Sequence, residues 1–136
     1  MSGLMLDTNV LIRFLRGDEP FSEKIESSES VVIHPIVYAE FLSGVDHATK
    51  QGVALRRQLE AFLDAPAVTQ VNIGCVTAIY YSKIYRHVQK SGRMIPQNDI
   101  WIAASALEHS FELATHDAHF ARIPMLRLLP EDAEVS

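Results

Sequence analysis

The chain has 136 residues, 48% of them hydrophobic and 21% charged, with a formal net charge of -5. That length suits one domain able to bury its own core without disulfides, and the composition excludes intrinsic disorder. A single cysteine, Cys75, excludes both an internal disulfide and a cysteine-rich zinc site, and it points to a reducing, cytoplasmic setting.

The first residues, MSGLMLDTN, carry no basic stretch and meet an Asp early, so no signal peptide is read there, and no run reaches the ~20 apolar residues of a membrane span. Gly3 to Leu6 reads as a short strand ending at Asp7, followed by helical spacing from Thr8 to Arg16 that Gly17 closes. Pro20 opens a second helix through Ser27. The β-branched run from Ser30 to Ile33 suits a buried strand, and His34-Pro35 starts a helix to about Asp46. Residues 49–64 read as an amphipathic helix, and Val68 to Val71 as a weak strand.

Asn72 is expected to cap a long helix to Ser91, with Ile73, Val76, Tyr80, Ile84 and Val88 forming its apolar stripe and Cys75 a small buried hydrophobe. After Gly92 and Pro96, Gln97 to His109 is helical, Phe111 to Ala114 a strand, a short helix follows Asp117, and Leu126 to Leu129 is the last strand. Alternating strands and helices predict an α/β fold around a mostly parallel sheet. Residues 1–130 form one domain and 131–136 a short acidic tail.

Glu19, Glu23, Glu26, Glu29 and Glu60 lie in polar stretches that predict solvation. Four other acids stand in awkward places. Asp7 and Asp117 follow strands, Asp99 opens an apolar helix, and Glu40 shares a helical face with Ile36 and Val37. Each has an ordinary alternative as a helix cap, a dipole partner or half of a salt bridge. Together they are more informative, because the ends of parallel strands converge on one sheet edge. Carboxylates gathered there repel, and a divalent cation with a preference for oxygen ligands relieves that repulsion. Such an ion generates hydroxide near neutral pH and polarises a phosphoryl group, which suggests metal-assisted phosphodiester hydrolysis.

LDTNVLI around Asp7, VYAEFLSG around Glu40, IPQNDIWIAASAL around Asp99 and LATHDAHF around Asp117 resemble, in order and spacing, the motifs of PIN-domain ribonucleases. The likeness is greatest to the VapC-type toxins of toxin–antitoxin pairs and runs from Leu4 to about Leu129. It implies a three-layer α/β/α sandwich with a central mostly parallel sheet, Mg²⁺- or Mn²⁺-dependent endoribonuclease activity and a homodimer. It also implies an antitoxin partner and no membrane association. The resemblance assigns Asp7, Glu40, Asp99 and Asp117 to the catalytic set. Asp7 and Asp99 are then direct metal ligands, while Glu40 and Asp117 hold metal-bound waters or a second ion. Thr115 and Asn9 are supporting groups, and His34 replaces a small hydroxyl residue at the start of its helix, altering capping more than chemistry.

Lys83, Arg86, Lys90 and Arg93 recur at helical spacing. They form either a solvated charged face or an RNA track beside Tyr81 and Tyr85, a choice that also applies to Arg13 and Arg16. Trp101 reads as core. His116 and His119 read as partly exposed histidines near the pocket, since a zinc site through this pair lacks an evident third nitrogen or sulfur ligand. An antitoxin is expected to deliver Arg or Lys to the acids and to lay apolar residues near Phe14 and Phe21. Two alternatives stand beside the nuclease. One is a catalytically silent PIN-like module that binds RNA or protein. The other is a receiver-like signalling domain, which lacks the lysine expected after the Phe111 to Ala114 strand.

Overall fold

The computed structural model describes residues 3–131; apart from Glu131, the expected acidic tail lies outside the described residues. The strands are β1 (Leu4–Leu6), β2 (Val31–Ile33), β3 (Val68–Gln70), β4 (Glu112–Ala114) and β5 (Arg127–Leu128). All pairings are parallel, and the sheet order is β3-β2-β1-β4-β5. The helices are α1 (Thr8–Arg16), α2 (Ser22–Ser27), α3 (Pro35–Gly44), α4 (Lys50–Leu63), α5 (Cys75–Ser91) and α6 (Gln97–His109), with a 3-10 turn at Ala118–Arg122. The connections from β1 to β2 to β3 step one way across the sheet, and the connection from β3 to β4 crosses back. Right-handed crossovers therefore place the intervening helices on opposite faces, the expected three layers. α1 packs on α3 and α4, while α5 packs along α6.

The strand order reverses between β1 and β4, which makes their C-terminal ends the crevice where open α/β sheets hold ligands. Both strands are short and mostly buried, as apolar runs without alternation require.

Two helix starts differ from expectation. Pro20 lies in a turn closed by Ser22 N–H on the Glu19 carbonyl, and α2 begins only at Ser22. α5 begins at Cys75, where Thr77 Oγ1 accepts the Gly74 N–H at 3.1 Å, so Asn72 is not its cap. Thr77, Ile84 and Val88 face inward, Ile73 and Val76 are exposed, and Cys75 is exposed rather than buried. Thr77 can occupy a core position because its hydroxyl donates to Glu108. Trp101 is half-buried, packed against Tyr81 with ring centroids 4.3 Å apart.

Gly52 lies in the first turn of α4, directly over the Asp46 backbone, and a Cβ there would collide with the Asp46 carbonyl. In an exposed helix Gly→Ala stabilises by about 1 kcal/mol. Here the sign reverses: Gly52→Ala is expected to destabilise by about 1–3 kcal/mol, because the clash is with backbone. Urea unfolding of the two proteins checks this.

Candidate metal centre

Asp7 ends β1 and caps α1, and its backbone N–H binds the Ala114 carbonyl at 3.0 Å, tying the ends of β1 and β4 together. One carboxylate oxygen accepts the Thr8 N–H at 2.9 Å and the other the Thr115 hydroxyl at 2.7 Å. Thr115 Oγ1 also accepts the Asp117 N–H at 3.0 Å, so one side chain orients two of the acids. Asp117 caps the 3-10 turn, its Oδ1 accepting the His119 N–H at 2.9 Å.

Glu40 reaches the same place from α3. Thr8 Oγ1 donates to its Oε1 at 2.7 Å, and Asn98 Nδ2 lies 3.4 Å from its Oε2. Asp99, in the first turn of α6, lies 3.4 Å from His119 Nδ1. The ordinary and functional readings therefore coexist: Asp7 and Asp117 are helix caps, and they also meet Glu40 and Asp99. Glu40 is held by neutral donors, a hydroxyl and an amide, and not by the salt bridge considered for it.

The electrostatics fit that convergence. Burial pushes the Asp7 carboxyl above its usual range despite the hydrogen bonds from Thr115 and Thr8, and the charges of Asp117 and Glu40 raise it further. Burial also pushes Asp99 up, to about 6, helped by the negative charges of Asp7 and Asp117 and opposed by His119. Reluctance of neighbouring acids to ionise is what a bound cation would relieve. The four acids offer hard carboxylate oxygens, which suit Mg²⁺ or Mn²⁺, and one imidazole nitrogen stands beside them. Asp99, Asp117 and His119 each offer a ligand atom within 4.8 Å of the others.

Other expected residues are spread more widely. Asn9 is exposed, and Thr8 beside it is the residue bonded to the acid set. His34 is fully buried and caps α3 with its ring nitrogen, Nδ1 accepting the Ile36 N–H at 3.0 Å. Arg13 pairs with Asp18 at the far end of α1, and Arg16 is exposed there. Because α5 and α6 are joined by the short segment 92–96, Lys90 and Arg93 lie toward the α6 start that bears Asp99. Arg86 is one turn further away. Lys83, two turns away, sits over the Tyr80 ring and lines a separate cavity with His87 and Arg127. Tyr81 is occupied by Trp101 and Tyr85.

Glu19 is the main residue that sequence reasoning misplaced. It is buried, its Oε2 accepts the Phe21 N–H at 2.8 Å, and both oxygens engage His116 Nε2, at 2.9 and 3.0 Å. His116 also stacks on Phe21 at 4.8 Å. This assembly anchors the segment immediately before Asp117. Phe21 is consequently core and not an open docking residue, whereas Phe14 is half-buried against Phe62.

Comparison with known proteins agrees with this architecture. Residues 4–126 match the PIN domain family. Ribonuclease VapC of Rickettsia bellii (strain RML369-C) is 31% identical over 131 residues, covering 93% of this chain and 95% of that protein. Ribonuclease VapC1 of Haemophilus influenzae (strain R2866) is 30% identical over 129 residues, covering 90% and 93%. Among solved structures, VapBC2 from Rickettsia felis bound to a promoter DNA fragment superposes with a TM-score of 0.81 at 25% identity, over 93% of this chain and 97% of that one. VapBC-1 from nontypeable Haemophilus influenzae gives 0.79 at 26% identity, over 96% and 99%. With its acids at the strand reversal and at least nine-tenths of its length aligned to these proteins, the chain belongs to the PIN-domain family and is similar to the VapC ribonucleases within it.

Proposed function

We propose that this chain is a Mg²⁺- or Mn²⁺-dependent endoribonuclease and the toxin of a toxin–antitoxin pair. The observation that supports it most is the meeting of Asp7, Glu40, Asp99 and Asp117 at the crevice between β1 and β4, with two of the four resisting ionisation. Asp7 and Asp99 would hold the ion, with Glu40 and Asp117 holding its waters or a second ion. Bound there, the ion supplies an activated water and positive charge for the phosphoryl group. The protein's own part is positional. Thr115 aims Asp7, Thr8 aims Glu40, and the pairing of buried Glu19 with His116 steadies the approach to Asp117. Lys90 and Arg93 offer phosphate contacts toward the Asp99 side, and Arg13, Arg16, Lys83 and Arg86 extend the basic surface.

Partners follow from the same reading. An antitoxin that delivers Arg or Lys neutralises the acids as a metal does, with apolar residues laid against Phe14 and Phe62. A homodimer would cover Ile73, Val76 and Ile79, which are exposed around the start of α5. Among the described residues no helix is long and apolar enough to cross a membrane, and the single exposed cysteine suits the cytoplasm.

Incubation with a pool of structured RNAs tests the activity. Cleavage is expected with Mg²⁺ or Mn²⁺, loss of it in EDTA, and 5′-phosphate ends. Cyclic 2′,3′-phosphate products or undiminished cleavage in EDTA would refute a metal-activated water. RNA binding without cleavage under every metal condition would favour the silent binding module.

A further inference from the structure

The two histidines that flank Asp117 in sequence do different things in space. His116 turns away from the acids to Glu19 and Phe21. His119 turns in, its Nδ1 standing 3.1 Å from Asp117 Oδ1 and 3.4 Å from Asp99 Oδ2. The first turn after Asp117 sets this orientation, because the His119 N–H donates to the same Oδ1 and the next residue, Phe120, is fully buried. The His119 side chain remains 37% exposed, so the nitrogen is both aimed at the acids and reachable from solvent.

We propose that His119 Nδ1 is a metal ligand, and that it biases the site toward Mn²⁺ and the other first-row transition metals over Mg²⁺. This rests on the reading of the acids as a metal centre. Neighbouring ligand atoms around an octahedral ion lie about 3 Å apart, √2 times a bond of about 2.1 Å. The separations of 3.1 and 3.4 Å from His119 Nδ1 to the two carboxylates match that edge length. A set of two carboxylates and one imidazole is unlike the all-oxygen surroundings Mg²⁺ favours, whereas first-row transition metals accept nitrogen increasingly well from Mn²⁺ through Co²⁺ to Ni²⁺. The third nitrogen or sulfur ligand that a zinc site would need is not required. Asp99 and Asp117 offer oxygens beside His119, with Asp117 then meeting this ion, or a second one, directly and not through a water.

The test uses the purified chain without RNA. Mg²⁺, Mn²⁺ and Co²⁺ are titrated into parent, His119→Asn and Asp99→Asn proteins, with metal-dependent melting temperature as the readout. Pulsed electron paramagnetic resonance of the Mn²⁺-loaded proteins reports a nitrogen on the ion directly. The parent should bind Mn²⁺ and Co²⁺ tighter than Mg²⁺ and show nitrogen coupling. His119→Asn should lose that coupling, and its Mn²⁺-to-Mg²⁺ affinity ratio should fall about tenfold or more, since loss of even a partner behind a metal ligand costs about 10–100-fold in affinity. An unchanged ratio, or coupling that persists in His119→Asn, overturns the role of His119 while leaving the acid site standing, provided Asp99→Asn weakens both metals. If no metal shifts the parent's melting, or Asp99→Asn binds as the parent does, the metal centre itself falls and His119 with it.

Discussion

Asp99→Asn is expected to raise the melting temperature of the metal-free protein at pH 8 while lowering cleavage on the order of 10³-fold, as loss of a centrally placed charge at a phosphoryl-transfer site does. The Asp99 carboxyl titrates near 6 instead of 3.8 because it is buried beside Asp7 and Asp117. A raised folded-state value means that stability fully present below pH 3.8 is lost as the pH rises through about 6. Above that, the charged carboxylate opposes folding by up to about 3 kcal/mol, at about 1.4 kcal/mol for each tenfold change in proton affinity between the unfolded and folded chains. Asn carries no charge, so the variant should recover part of this, roughly 1–2 kcal/mol once its altered contact with His119 is allowed for. The advantage should vanish near pH 4, where both proteins are neutral at this position.

Asp7→Asn is a less clean gain. The Asp7 oxygens accept two donors; an amide oxygen keeps the Thr8 N–H, but its NH₂ meets Thr115 only by donating to an oxygen that already accepts the Asp117 N–H, which weakens that bond. Relief of charge and loss of a buried bond should nearly cancel there, leaving its melting close to the parent's while cleavage is lost. Saturating Mg²⁺ or Mn²⁺ should raise the parent by about 2–3 kcal/mol at a hundred times the dissociation constant, and both variants much less. Melts at pH 8 and pH 4, with EDTA and with metal, check all of this. A lower melting temperature for Asp99→Asn in EDTA at pH 8 would mean that Asp99 is merely structural.

Local signals were sufficient where the determinants were local. Asp7 before the helix and Gly17 after it bracket α1, and Gly17 does adopt a left-handed conformation with φ 87°. The four acids could be gathered because each stands at a strand end or on a core-facing helix, and the reversal of strand order brings those positions together. What sequence could not supply was phase and long-range pairing. Whether Thr8 or Asn9 faces Glu40 depends on how α1 is rotated against α3. Thr77, not Val76, joins Ile84 and Val88 on the inward face of α5, because it stands about two full turns before Ile84. Glu19 sits in a run of polar residues that reads as solvent-exposed. Its burial is decided by His116, 97 positions away, and no pattern near Glu19 announces that partner.

The other large effect is expected at His34, where acid stability is balanced. His34 is fully buried between β2 and α6, with Nδ1 accepting the Ile36 N–H and Nε2 on Ser105 Oγ at 2.9 Å. Since Nδ1 accepts, the neutral ring carries its proton on Nε2 and donates to Ser105. A second proton would have to go on Nδ1, facing another N–H, and burial holds the ring's titration down to about 4 from 6.5. A depressed value means stability that is complete above pH 6.5 and lost as the pH falls toward 4. By pH 5 the loss is about 2 kcal/mol. Asp99 works in the opposite direction over the same interval, gaining about 1 kcal/mol on acidification as its carboxyl becomes neutral. The metal-free parent should therefore change little between pH 7 and pH 5, and single variants should expose the two opposed contributions. His34→Asn keeps a side-chain cap for α3 but lacks the titration. It should be less stable than the parent at pH 7, through lost packing and the bond to Ser105, and should then gain on acidification. Asp99→Asn should lose about 2 kcal/mol over the same range, having kept only the histidine's contribution. Urea unfolding in EDTA at pH 7 and pH 5 measures each slope. If parent and His34→Asn respond identically to pH, the buried imidazole does not govern acid stability and its protonated form must be accommodated within the fold.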